Sequence, residues 1–135
     1  MLGGRQEFMS EKLKGVVGSP LTPFSEDGSV DYDTLGKQVD FLIANGINAF
    51  TYPMHISESL NLTEVERKEC AARLVAAVAG RVPTFINVSA SGTKTACELA
   101  EHAARVGSDG PGGLGPHYWP TTPAGFLGHF VAVAR

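Results

Sequence analysis

The sequence predicts an α/β fold of four consecutive βα units, and three observations carry that expectation. Short β-prone apolar runs alternate with longer segments whose apolar residues recur at helical spacing. Glycine, proline or a capping residue punctuates nearly every junction. The 135 residues are 43% hydrophobic and 19% charged, as in an ordinary globular domain, and leave no room for a second core of similar size.

Residues 1–13 read as a polar tail, and 14–135 as the folded unit. Lys14 to Ser19 forms the first strand, stopped by Pro20 and Pro23. Ser25-Glu-Asp-Gly28 is turn chemistry, with Gly28 free to take a positive φ. The first helix carries Leu35, Val39, Leu42 and Ile43 on one face, with Asp31 or Asp33 as its cap and Gly46 at its end. Ile47 to Tyr52 is the second strand. Thr63-Glu-Val-Glu66 is a capping box that starts the second helix, which runs to about Ala79 with Cys70, Leu74, Ala77 and Val78 inward.

Pro83 to Val88 is the third strand. The third helix spans about Thr93 to Val106, with Ala96, Leu99, Ala100 and Ala103 inward and Gly107 closing it. The fourth strand slot, Asp109 to Pro116, is poor because its interior is Pro-Gly-Gly-Leu-Gly. The last helix, roughly Pro123 to Ala134, is expected to bury Phe126, Leu127, Phe130 and Val131. Such units need a parallel sheet, built either as a small doubly wound sheet or as half of a (β/α)8 barrel.

Several function classes are set aside by composition. A net charge of −3 leaves no electrostatic footprint for nucleic acid. No apolar run approaches the roughly 18 residues of a membrane span, so neither partner is expected. Met1 to Lys14 carries five charged residues and no apolar core, unlike a secretory signal. Two cysteines then fit reduced thiols in a cytoplasmic setting. Cys70 and Cys97 sit in helical patterns and read as small core residues, and Asn87-Val-Ser89 matches a glycosylation sequon that carries no meaning without secretion. Gly110-Pro-Gly-Gly-Leu-Gly115 spells a dinucleotide fingerprint. Pro116 and Pro120 stand where a helix must open, however, and no acid follows Asp109, so that reading fails.

Gly18-Ser-Pro-Leu-Thr-Pro-Phe24 with Asp27-Gly-Ser-Val-Asp31, Gly46-Ile-Asn-Ala49, Glu58-Ser59, Leu62-Thr63, Glu66-Arg67 and Pro116-His-Tyr118 stand in one order and spacing. Together they resemble the dihydrodipicolinate synthase / N-acetylneuraminate lyase family of class I aldolases, over about residues 14 to 134 and only its N-terminal half. The resemblance implies a (β/α)8 barrel of which this chain holds four units. It also implies a homo-oligomer (dimer or tetramer), a small 2-oxo acid such as pyruvate as substrate, Schiff-base chemistry, and no metal or organic cofactor.

The family's lysine and a helper tyrosine, on strands six and five, would lie beyond Arg135, so a truncated chain lacking that lysine is expected. The alternative is a non-catalytic half-barrel that self-associates.

The resemblance also assigns site residues. The family's Gly-Thr-Thr-Gly-Glu motif falls on Met54-His-Ile-Ser-Glu58, where only Glu58 matches. His55 replaces the proton-relaying threonine and can itself act as acid or base. Ile56, Ser57 and Glu58 take the substrate-binding positions, Ile56 with only its backbone N–H to offer. Glu58 beside His55 would make a metal pair only with a third ligand, and a structural carboxylate is the expectation. Tyr118 matches the family's relay tyrosine, with interface packing beside Trp119 as its other reading.

Overall fold

Side-chain chemistry within four residues sets most of the helix boundaries. In the computed structural model, which describes residues 13–117 and 120–135, Asp31 caps the first helix, α1 (Tyr32–Ala44). Its carboxylate accepts from Thr34 N at 2.9 Å and from Thr34 Oγ1 at 2.6 Å. Those bonds hold the Asp31 carboxyl below its ordinary value. The second helix, α2 (Glu64–Val78), starts with the expected capping box: Thr63 N donates to Glu66 Oε2 at 2.8 Å and Glu66 N to Thr63 Oγ1 at 3.2 Å. The third, α3 (Thr93–Arg105), gives way to Gly107 at φ +88, a left-handed conformation that glycine takes without strain.

The strands are shorter than their sequence runs. They are β1 (Val17–Gly18), β2 (Ala49–Tyr52), β3 (Thr84–Asn87) and β4 (Gly110–Gly112). All pair in parallel in the order β1-β2-β3-β4. A doubly wound sheet reverses its strand order part-way, and this sheet does not. Its order is that of an arc of a barrel. Neighbouring helices pack in the same sequence, α1 on α2 and α2 on α3.

Leu35 and Val39 of α1, Cys70, Leu74 and Val78 of α2, and Phe50, Tyr52 and Ile86 of the sheet form one buried cluster. Each large apolar side chain so buried contributes about 1.5–3 kcal/mol. Ala96, Leu99 and Ala103 are buried on α3, while Ala77 and Ala100 are half-buried.

The poor fourth slot does form a strand. Phe85 faces Gly110, Ile86 faces Pro111 and Asn87 faces Gly112, and Val88 N donates to Gly112 O at 2.8 Å. Proline is accommodated in β4 because the bonds to β3 are made by residues on either side of it, Asp109 N donating to Thr84 O at 2.9 Å and Gly112 O accepting from Val88 N. Just beyond it, a Cβ on Gly113 would lie 2.9 Å from Ser89 Oγ, so the backbone's close approach excludes a side chain.

The last helix, α4 (Pro123–Val133), forms as expected, with Thr122 Oγ1 accepting from Gly125 N at 3.1 Å. The expectation about its buried face is overturned. Phe126, Leu127, Phe130 and Val131 are 46%, 65%, 37% and 40% exposed. His129 is the buried residue, its Nδ1 3.0 Å from Thr93 Oγ1. The helix touches α3 through that polar side; on the apolar one the Phe126 ring lies against Gly115, where a Cβ would clash with it, while Leu127 is largely exposed.

Candidate functional site

The carboxyl ends of β2, β3 and β4 meet at one rim, where parallel α/β folds place their chemistry. β2 ends at the Tyr52–Pro53 cis peptide, and a single 3₁₀ turn (His55–Ser57) follows, closed by Glu58 at φ +59. This turn is anchored from below. Ser57 is fully buried and its hydroxyl donates to Pro20 O at 2.7 Å. Ser19 Oγ lies 2.8 Å from Ser57 Oγ and is therefore the donor in that pair. Thr22 Oγ1 donates to Ser57 O at 2.6 Å and lies 2.8 Å from Tyr52 Oη, so the phenol donates to Thr22. Cys70 Sγ sits 3.5 Å from the same phenol oxygen.

Burial pushes the Tyr52 phenol far above its ordinary value, and the Cys70 thiol upward as well. Neither is ionised near neutral pH. They are structural, as expected for Cys70.

A second network joins the loops. Asn87 is buried at the end of β3. Its Nδ2 donates to Pro53 O at 2.6 Å, and its Oδ1 accepts from Ser89 N at 3.0 Å and Ser89 Oγ at 2.6 Å. Leu114 N in turn donates to Ser89 Oγ at 2.8 Å. One asparagine thus ties the segments after β2, β3 and β4 together. Below it, Arg67 Nη2 donates to Asn87 O at 3.1 Å, while Arg67 Nε is buried without a partner among the described residues.

The sequence reasoning missed Asn87 and Ser89, having read them only as a sequon. A polar residue closing an otherwise apolar strand was the available signal.

Of the residues singled out from sequence, His55 and Ile56 are exposed at the rim, Ile56 to 67%. Ser57 lies beneath them. The Glu58 carboxylate accepts from Asn61 Nδ2 at 3.0 Å. Tyr118 lies outside the described residues. His117 approaches His55, with ring centroids 6.4 Å apart and planes at 84°. Among the described residues no group of three or more His, Cys, Asp or Glu side chains is placed to hold a metal ion, and no helix is long and apolar enough to cross a membrane.

A model of the dihydrodipicolinate synthetase family matches residues 12–135. The chain belongs to that family. It is 30% identical over 125 residues to a protein of Escherichia coli K12 called "probable 2-dehydro-3-deoxy-D-pentonate aldolase YjhH", covering 93% of this chain and 42% of that relative. It is 33% identical over 123 residues to the 4-hydroxy-tetrahydrodipicolinate synthase of Bartonella bacilliformis, covering 91% and 42%. The Escherichia coli K12 prophage protein YagE, solved in complex with pyruvate, matches with a TM-score of 0.87 at 29% identity, covering 90% of this chain and 42% of its own. The chain therefore spans about 42% of the length of these relatives. Its four units form half of a dihydrodipicolinate synthetase family (β/α)8 barrel.

Proposed function

We propose that this chain supplies the N-terminal half of an aldolase or lyase site that takes pyruvate or a related 2-oxo acid, processed in the intact family member through a Schiff base. The observation that carries this reading is the anchored turn from Met54 to Glu58. It occupies the family motif's position at the carboxyl end of β2. Its Ser57 and Glu58 N–H groups are spent on Met54 and His55 carbonyls, whereas those of His55 and Ile56 have no acceptor among the described residues.

In this reading the Ile56 N–H meets the substrate carboxylate. Ser57 and Glu58 keep the turn in shape, and exposed His55 moves a proton near the reacting carbons. Tyr118 keeps the relay role that its motif implies. The partly buried Arg67 guanidinium, bonded to Asn87 O at the end of β3, adds a positive potential that favours an anionic substrate.

The described lysines are poor Schiff-base candidates. An iminium needs an amine deprotonated near neutral pH. Lys14 and Lys37 are exposed, Lys68 pairs with Glu64, and the Lys94 side chain is 91% exposed with Glu98 3.9 Å away. The test is a pyruvate titration of the isotopically labelled chain, followed by borohydride and intact-mass measurement. Amide shifts should concentrate at residues 54–58, with no covalent adduct. Shifts absent from that turn overturn the binding site, and an adduct on Lys94 overturns the account of the lysines.

A second reading, a non-catalytic half-barrel paired with a copy of itself, is favoured by the exposed apolar side chains of α4, Leu127 and Val131 among them. It predicts a dimer by light scattering, and a folded monomer dismisses it.

A further inference from the structure

We propose that His55 and His117 form a two-imidazole site for a borderline divalent transition-metal cation, of the class of Zn2+, Ni2+ and Cu2+. The two rings come from different loops, one after β2 and one after β4, and the fold brings their centroids to 6.4 Å with planes at 84°. Two imidazoles sharing one metal through bonds of about 2.1 Å place their centroids roughly 5–6.5 Å apart. The observed separation lies at the wide end of that range. His55 is exposed on a short turn, and its ring makes no hydrogen bond among the described residues, so it can close the remaining gap without breaking anything.

His117 carries the second observation. Its Nδ1 is buried and has no hydrogen-bond partner among the described residues. Its Nε2 reaches only Ser91 Oγ, at 3.5 Å, the outer limit of a hydrogen bond. A buried ring nitrogen left unpaired is costly, and either a bound ion or an ordered water would satisfy it. Edge-to-face packing of the two rings alone would leave that nitrogen unsatisfied.

The donor set decides the class of cation. Imidazole nitrogen suits Zn2+, Ni2+ and Cu2+, whereas Mg2+ and Ca2+ require oxygen. The nearest carboxylate in sequence, Glu58, is engaged by Asn61. Two protein ligands thus hold the metal, and water fills the other positions. The site requires no 2-oxo acid and its test reads metal binding alone, but it draws on the same His55 imidazole, which a bound cation would withdraw from the proton transfer proposed above.

The test is calorimetric titration of the chain, free of any histidine tag, with Zn2+ alone. It is paired with electron paramagnetic resonance of the Cu2+ form, where coupling to two imidazole nitrogens is diagnostic. The chain should bind one equivalent. His55→Ala and His117→Ala should each weaken binding at least about tenfold, the double variant should lose little more than either single one, and His102→Ala should bind as the parent does. Circular dichroism establishes that each variant is folded. Should His117→Ala fail to fold, His55→Ala decides alone, because its side chain is exposed. Unchanged affinity in the folded His55 variant, coupling to a single nitrogen, or no binding at millimolar Zn2+ would overturn the site.

Discussion

Asn87→Ala is expected to destabilise the chain by about 2–4 kcal/mol and to lower its Tm by roughly 10 °C. The asparagine donates to Pro53 O at 2.6 Å and accepts both from Ser89 N and from Ser89 Oγ. Alanine leaves a carbonyl, an N–H and a hydroxyl without their partner in a buried setting, and each such loss costs more than the bond itself contributed. The same change should loosen the rim, because this side chain and Ser89 join the segment after β2 to the segment after β4. Thermal melting gives the first quantity. Amide shifts at residues 54–58 and 113–117 give the second. A Tm within about 2 °C of the parent would show that water replaces the asparagine and that the network is not what holds the rim.

Phe50→Ala should be more damaging, by about 3–5 kcal/mol. Phe50 is fully buried in β2, which pairs with β1 through Gly18 and with β3 through Thr84. Truncation removes its transfer free energy and leaves a cavity between the sheet and the helices. A domain of this size has only about 5–15 kcal/mol in total. Urea denaturation should show a midpoint shifted far toward zero or a transition without a native baseline. A loss below about 1 kcal/mol would place the centre of the core elsewhere.

What could be read in the sequence was local. Thr63 and Glu66 are three residues apart and satisfy each other's backbone, so the start of α2 was legible from four letters. For α1 the sequence offered Asp31 or Asp33 as the cap, and the bonds to Thr34 single out Asp31; Gly107 marked the end of α3. The order of strands and helices followed from periodicity, and the arrangement of the motif from Met54 to Glu58 on the rim followed from where β2 had to end.

The remaining features needed the chain brought together. β4 forms although its Gly-Pro-Gly sequence disfavours it, because β3 offers a complete row of partners and the bonds to it fall on the residues flanking the proline. The apolar residues of α4 looked like a buried face, but periodicity only says which residues lie on one side. Whether that side is covered depends on what stands next to the helix, and here His129 faces α3, Phe126 meets only Gly115 with one side of its ring, and Leu127 is largely exposed. Asn87 gained its role from Pro53, Ser89 and Arg67, and His117 its place from His55. Each of those contacts but the one with Ser89 spans twenty residues or more of chain. Capping and turn energies act within four residues and so are written in sequence order. Burial, edge pairing and the meeting of two imidazoles are properties of surfaces that become neighbours only once the sheet has formed.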